Sequence, residues 1–169
     1  MPTCTRILEW DAGHRVLRHE SKCAHLHGHR YKAEITVYGP ELDKQGRVVD
    51  FGVIKSVVGT WIDIYWDHNL MLHPEDPLLE GLHFLDLHYK MDMEKPSDVI
   101  TAFKAPYLFP PGKNPTAENI AEVLGHKANE LLQEVNPSLV VTKIKVWETP
   151  NCFAEYDPSP VWIPIRPIH

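Results

Sequence analysis

Histidine is the residue type that stands out in this 169-residue chain, with 11 copies. Five of them crowd into one short stretch, namely His14, His19, His25, His27 and His29. His27 and His29 are two residues apart, and in a β-strand such residues project from the same face. A pair of imidazoles near an apolar face is costly unless its nitrogens are satisfied, and a bound Zn²⁺ satisfies them. The spacing therefore predicts a zinc site, with His14 on the preceding strand as the candidate third ligand.

The alternative interpretation places the same histidines in a polar turn without a metal, because an H-x-H pair by itself is a weak signal. The wider string from Cys23 to His29, C-A-H-L-H-G-H, favours the metal. Three protein ligands leave the fourth position of zinc open, which is the arrangement of a catalytic rather than a structural site.

The strand that would carry the pair is marked by alternation. Tyr31, Ala33, Ile35 and Val37 alternate with polar side chains, which predicts a half-buried strand over 28–39 whose odd-numbered residues face the core. Turn residues follow from 39 to 46, and an extended run resumes at 48–49. This pattern predicts a hairpin between the two extended runs.

Two amphipathic helices are predicted further along the chain. Asp50 is a suitable N-cap, and apolar residues recur every three or four positions over 51–65. Thr116 is the N-cap expected for a second helix, which stops at Asn136-Pro137. Residues 140–149 then predict a strand, with 152–156 as its hairpin partner.

The order β-β-α-α-β-β predicts an α+β fold, in which two helices cover one face of a four-stranded antiparallel sheet. We expect a single domain over 1–169, with a long insertion at about 72–113 and an extended tail at 158–169. Prolines interrupt the insertion and leave room only for short helices such as 77–87. The tail is apolar and proline-rich, which favours packing on a neighbouring surface.

Composition excludes several function classes. Hydrophobic residues are 43% and charged residues 24% of the chain, which is typical of a folded globular domain. The net charge of −6 argues against a nucleic-acid partner. The first residues do not resemble a signal peptide, and no apolar stretch is long enough to cross a membrane, so a cytoplasmic protein without a membrane partner is expected. Three cysteines far apart in sequence favour reduced thiols.

Several short motifs follow one another in a fixed order. The sequence A-G-H-R at 12–15 precedes C-x-x-x-H-G-H at 23–29, and D-H-N at 67–69, P-T-A-E-N at 115–119 and W-E-T at 147–149 come after it. By these motifs the chain resembles the 6-pyruvoyltetrahydropterin synthase and 6-carboxytetrahydropterin synthase family over residues 6–156. The resemblance implies the tunnelling fold, in which sheets and helices of several subunits assemble into a hexameric barrel. It also implies active sites at the subunit interfaces.

The resemblance implies a role for each matched residue. The zinc ligands are His14, His27 and His29; the catalytic residues are Cys23, Asp67 and His68; and the substrate-binding residues are Glu148, Thr116 and Glu118. In this assignment Cys23 accepts a proton, His68 oriented by Asp67 is the second acid/base group, and Glu148 anchors the pterin ring. Without the motif, a buried salt bridge is the better explanation of Glu148. His25 has no assigned role and is expected to be exposed.

The reaction implied is that of the lyases acting on 7,8-dihydroneopterin triphosphate. Three residues separate Cys23 from His27, a spacing similar to that of 6-carboxytetrahydropterin synthases of the queuosine and deazapurine pathway. The products would be 6-carboxytetrahydropterin, acetaldehyde and triphosphate. Three alternatives stay open: a 6-pyruvoyltetrahydropterin synthase, a three-histidine zinc hydrolase, and a non-catalytic zinc- or pterin-binding oligomer.

Overall fold

The computed structural model describes residues 1–83 and 104–158. Two long strands come first, β1 (Thr3–His14) and β2 (His27–Tyr38), and they pair in antiparallel fashion with His14 opposite His27. The odd-numbered residues of β2 from 31 to 37 are fully buried. The predicted strand and the direction of its buried face are therefore confirmed.

The predicted hairpin partner of β2 is wrong. Residues 39–50 contain no strand, and the 48–49 pair packs against the edge of the core instead. Asp43 organises this loop by accepting hydrogen bonds from the backbone N–H groups of Gln45 and Arg47. The physical reason is that both sides of β2 are already paired, one with β1 and the other with a later strand, Val140–Thr149.

The first predicted helix is confirmed as one continuous helical segment, α1 (51–65). Asp50 caps it by accepting a hydrogen bond from the N–H of Gly52. A π-helical stretch, Lys55–Gly59, lies between the α-helical parts Phe51–Ile54 and Thr60–Tyr65. The periodicity of apolar residues did not reveal this π-helical stretch.

The second predicted helix is also confirmed, as α2 (Ala117–Val135). The Thr116 side chain accepts a hydrogen bond from the N–H of Asn119, and the helix ends before Asn136. The apolar stripes of α1 and α2 pack into the same core as the buried residues of β1 and β2.

The sheet is larger than expected. The strands β5 (Val140–Thr149) and β6 (Cys152–Tyr156) lie where they were predicted. Two short strands that were not predicted, β3 (Asn69–Leu72) and β4 (Tyr107–Leu108), complete a six-stranded mixed sheet in the order β4-β3-β1-β2-β5-β6. The expected four-stranded antiparallel sheet and its element order are therefore corrected.

The physical reason for the correction is the parallel pairing of the two short strands. β3 pairs with the end of β1, at 12–14, and β4 pairs with β3. Strands this short are too brief to show an alternation of apolar and polar residues, and their pairing depends on tertiary contacts.

Part of the expected helix over 77–87 is seen, because residues 78–83 are helical. The remainder of that expectation and the expected tail packing fall almost entirely outside the described residues. No helix in the described part of the chain is long and apolar enough to span a membrane.

Candidate metal centre and active site

Three imidazoles converge where β1 ends and β2 begins. The antiparallel register places His14 directly opposite His27, and His29 follows on the same face. The nitrogens that these three rings offer to a metal all lie within 4.8 Å of one another. His14 is 1% exposed, whereas His27 and His29 are half-buried. The predicted ligand triad is thus brought together at one edge of the core.

Two backbone carbonyls fix the orientation of two of the rings. Nδ1 of His14 donates to the carbonyl of Pro115 at 2.7 Å, and Nδ1 of His27 donates to the carbonyl of His25 at 2.7 Å. A carbonyl only accepts hydrogen bonds, so each Nδ1 carries a proton, and in the neutral ring each Nε2 then presents a lone pair. The two Nε2 atoms lie 3.1 Å apart and face each other. A cation coordinated by both nitrogens relieves this unfavourable contact.

The electrostatics of the triad also fit a metal. The pKa of His14 is lowered to about 4, mainly by burial; the hydrogen bond to the carbonyl of Pro115 opposes this shift, and the neighbouring histidines add to it. Burial also lowers the pKa of His29, although the Glu148 carboxylate opposes the shift. The Nε2 atom of His29 is buried and has no hydrogen-bond partner among the described residues. Neutral rings with free Nε2 atoms are the form that binds a transition metal.

Glu148 lies beside the triad. Its Oε1 atom is 3.5 Å from Nε2 of His14 and 4.0 Å from Nε2 of His29. In the described part of the chain these two histidines, and no lysine or arginine, lie within 4.0 Å of the carboxylate, so the alternative salt bridge is not formed there. A cavity of about 630 Å³ is lined by His29, Trp147, Glu148 and Thr149 among others. The carboxylate can therefore accept hydrogen bonds from a molecule in this cavity.

Asp67 and His68 form a second unit after α1. One carboxylate oxygen of Asp67 accepts from the N–H of Asp11 at 2.9 Å, and the other accepts from Nδ1 of His68 at 2.7 Å. Partial burial raises the pKa of Asp67, but these hydrogen bonds outweigh it and the net shift is downward. His68 has a φ of 51° and a side chain that is 79% exposed.

His68 and His29 both line a second cavity, of about 560 Å³. Because Asp67 holds Nδ1 of His68, the Nε2 atom of that ring is left available to a ligand or to another protein surface. The arrangement suits a group that gives or takes a proton outside its own chain's core.

In the described part of the chain no hydrogen bond or ion pair joins the side chains of Cys23, Thr116 and Glu118 to these two clusters. Cys23 is half-buried in a single 3₁₀ turn, Lys22–Ala24, and no hydrogen bond within the described residues joins its thiol to Asp67 or His68. Thr116 caps α2, and Glu118 is exposed in the first turn of that helix. The structure of one chain therefore brings together the triad with Glu148, and Asp67 with His68, whereas no hydrogen bond in the described part of the chain joins Cys23 to His68.

Two residues that sequence reasoning missed hold the triad in place. Pro115 and His25 act through their backbone carbonyls, as described above. The side chain of His25 is exposed, as expected, so its contribution is made by the main chain alone. Every residue has a carbonyl, so no residue type signals this role.

Comparison with known proteins adds independent findings. A family model described as 6-pyruvoyl tetrahydropterin synthase matches residues 3–159. A protein of Rickettsia conorii named 6-carboxy-5,6,7,8-tetrahydropterin synthase is 41% identical over 157 residues, covering 92% of this chain and 99% of the relative. A Rickettsia bellii protein of the same name is 43% identical over the same shares. The structure of Caenorhabditis elegans 6-pyruvoyl tetrahydropterin synthase matches with a TM-score of 0.59 at 23% identity, covering 94% of this chain and 98% of that one. At that identity the likeness shows the fold alone.

Proposed function

Because the chain belongs to the 6-pyruvoyl tetrahydropterin synthase family, we propose that it catalyses the reaction of a 6-carboxy-5,6,7,8-tetrahydropterin synthase. The substrate is then 7,8-dihydroneopterin triphosphate, and the products are 6-carboxytetrahydropterin, acetaldehyde and triphosphate. The observation that carries the proposal is the convergence of His14, His27 and His29 beside Glu148. Relatives of that name at 41% and 43% identity favour the carboxy product over the pyruvoyl one.

The resident metal in this proposal is zinc, bound by the Nε2 atoms of His14, His27 and His29. When bound, it supplies a Lewis acid that stabilises negative charge developing on the substrate side chain. The protein contributes a ligand set that is oriented in advance, because the carbonyls of Pro115 and His25 fix two of the three rings. The neutral state of His14 at neutral pH removes competition from protons.

Glu148 is the proposed anchor of the pterin ring. One carboxylate accepts two parallel hydrogen bonds, which matches an amino group beside a ring N–H. Its position between the triad and the larger cavity supports this role. Thr116 and Glu118 remain proposed contacts from the sequence motif, although the Thr116 hydroxyl already accepts the hydrogen bond that caps α2.

Cys23 and His68 are the proposed proton-transfer groups. Cys23 takes the proton from the substrate side chain, and His68, oriented by Asp67, gives or takes the second proton. The two groups are not joined within one chain, and the His68 side chain is 79% exposed. We therefore propose a cytoplasmic homohexamer in which Cys23 of one subunit meets His68 of its neighbour at each interface.

The test of the reaction is to identify the product. Purified, zinc-loaded protein is incubated with 7,8-dihydroneopterin triphosphate, the pterin product is identified by mass spectrometry, and acetaldehyde is assayed in the same tube. We expect 6-carboxytetrahydropterin together with acetaldehyde. A 6-pyruvoyl product without acetaldehyde would overturn the carboxy assignment. Unchanged substrate with zinc retained would favour the non-catalytic zinc- or pterin-binding oligomer.

A further inference from the structure

The loop that carries Cys23 connects two metal ligands. Residues 15–26 run from His14 to His27, and none of them is fully buried. Apolar packing therefore contributes little to the position of this loop, and polar contacts must fix it; one of them is the ion pair of Arg15 with the buried Asp76. Inside the loop, the N–H of Val16 donates to the carbonyl of Cys23 at 2.8 Å and joins the outgoing arm to the returning one.

Asn114, from the segment that precedes α2, holds the outgoing arm at Leu17. Its Oδ1 atom accepts from the N–H of Leu17 at 2.7 Å, and its Nδ2 atom donates to the carbonyl of Leu17 at 3.2 Å. One side chain thus satisfies both polar backbone groups of Leu17. Val16, the residue before Leu17, donates its N–H to the carbonyl of Cys23. The residue that Asn114 holds is therefore adjacent to the residue that bonds to the Cys23 turn.

Asn114 is itself held firmly. Its carbonyl accepts from the N–H of Thr116 at 2.9 Å and from Nδ2 of Asn119 at 2.8 Å. Pro115, the next residue, accepts from Nδ1 of His14. Residues 114–115 therefore contact both parts of the site. The carbonyl of Pro115 bonds to the ring of His14, and the side-chain amide of Asn114 bonds to the Cys23 loop.

We infer that Asn114 is a positioning residue that fixes the loop of Cys23 relative to the histidine triad. The inference rests on the proposed function, in which Cys23 takes a proton from a substrate bound beside the triad. A misplacement of about 1 Å in a reacting group costs on the order of 10²-fold in rate. Removal of the Asn114 side chain leaves the carbonyl of Pro115 in place. The loop should therefore lose a support, whereas the histidine triad should keep its hydrogen bond.

The test compares Asn114→Ala, Asn114→Asp and a matched control. Asn136 lies just past the other end of α2, where its Oδ1 atom accepts from the N–H of Ser138 at 3.0 Å, so Asn136→Ala removes a similar contact remote from the loop. For each variant, kcat and KM, zinc content, and the rate of alkylation of Cys23 by iodoacetamide are measured. Alkylation is followed by peptide mass spectrometry, and the exposed Cys152 is the internal reference.

We expect Asn114→Ala to lower kcat by about 10²-fold with full zinc content, because positioning is lost and ligation is not. Alkylation of Cys23 should become several-fold faster as the loop is released, with Cys152 unchanged. Asn114→Asp keeps the acceptor for Leu17 but loses the donor, so its kcat and alkylation rate should be intermediate. Asn136→Ala should match the wild type.

Two results would overturn the inference. The first is a kcat and a Cys23 alkylation rate in Asn114→Ala that equal those of the wild type. The second is a loss of zinc that parallels the loss of kcat, which would mean that Asn114 supports metal binding and not the position of the loop. If Asn114→Ala does not fold, Asn114→Asp carries the same comparison. If the wild-type protein forms no product, the proposed reaction fails, and the alkylation rates alone still decide whether Asn114 holds the loop.

Discussion

In their neutral forms His14 and His27 present the lone pairs of their Nε2 atoms to each other at 3.1 Å, and a cation bound by both atoms relieves the repulsion between them. A ligand that binds only the folded state at 1,000 times its Kd stabilises that state by about 4.1 kcal/mol. Zinc should therefore raise the melting temperature of the wild-type protein clearly. In His27→Ala the increase should be absent or strongly reduced. Thermal melts with zinc and with a chelator measure this.

His25→Ala is the matched control for that experiment. Its exposed side chain is removed, but the carbonyl that orients His27 remains, so the increase in melting temperature should persist. A zinc effect of equal size in His27→Ala and the wild type would contradict the ligand assignment.

Cys23 distinguishes the proposed lyase from a zinc hydrolase that uses metal-bound water. As a proton acceptor it contributes on the order of 10²- to 10⁴-fold to the rate, so Cys23→Ala should lose product formation by at least that factor. Zinc content should stay at the wild-type level, since the thiol is not part of the ligand group. The measurement is product formation together with metal analysis. Turnover that survives in Cys23→Ala would favour the hydrolase.

At the residue scale, the histidine side chains of the triad were predictable from the sequence, but the main-chain groups that hydrogen-bond to them were not. The triad follows from strand alternation, because the periodicity that buries Tyr31 also turns His27 and His29 to the same face. The carbonyls of Pro115 and His25, and the amide contact of Asn114, depend on how distant segments meet. Sequence periodicity carries no information about such tertiary contacts.

The elements that were predicted correctly are those whose ends carry chemical signals. Asp50 and Thr116 cap α1 and α2 as expected, because each side chain accepts a hydrogen bond from an otherwise unpaired N–H. β3 and β4 were missed because strands this short have no alternation of their own; β3 forms by pairing with the end of β1, and β4 forms by pairing with β3. The hairpin expected at 48–49 does not form, because β1 and β5 already pair with both edges of β2 and leave no edge for a further strand.

The cap of α1 offers a test at this scale. Asp50→Ala removes the acceptor for the N–H of Gly52 and should lower the free energy of unfolding by about 1 kcal/mol. Asp50→Asn keeps an acceptor at the N-cap and loses only the exposed ion pair with Arg47, so its effect should be small. Urea unfolding measures both. Equal losses in the two variants would mean that the ion pair, and not the cap, stabilises this end of α1.

At the scale of the whole molecule, the arrangement of the proposed proton-transfer groups predicts a site shared between subunits. Residues 15–26 tie Cys23 to His14 and His27 of its own chain, whereas His68 is largely exposed and unconnected to Cys23 within the described residues. If Cys23 and His68 of different subunits meet, inactive Cys23→Ala and His68→Ala chains complement each other in mixed oligomers. Random mixing in equal amounts restores on the order of a quarter of the sites, because each site needs two intact contributions.

The control for this experiment is a mixture of Cys23→Ala with His27→Ala. In the proposed site Cys23 and His27 come from the same chain, so every site in that mixture lacks one of them and activity should stay at the background of the single variants. The two variants are refolded together from denaturant, mixed assembly is verified by native mass spectrometry, and product formation is measured. Activity in the first mixture and none in the second would support a site built between subunits. Absence of activity in both, with mixed oligomers present, would mean that Cys23 and His68 work within one chain, and the exposed position of His68 would then require a rearrangement on substrate binding.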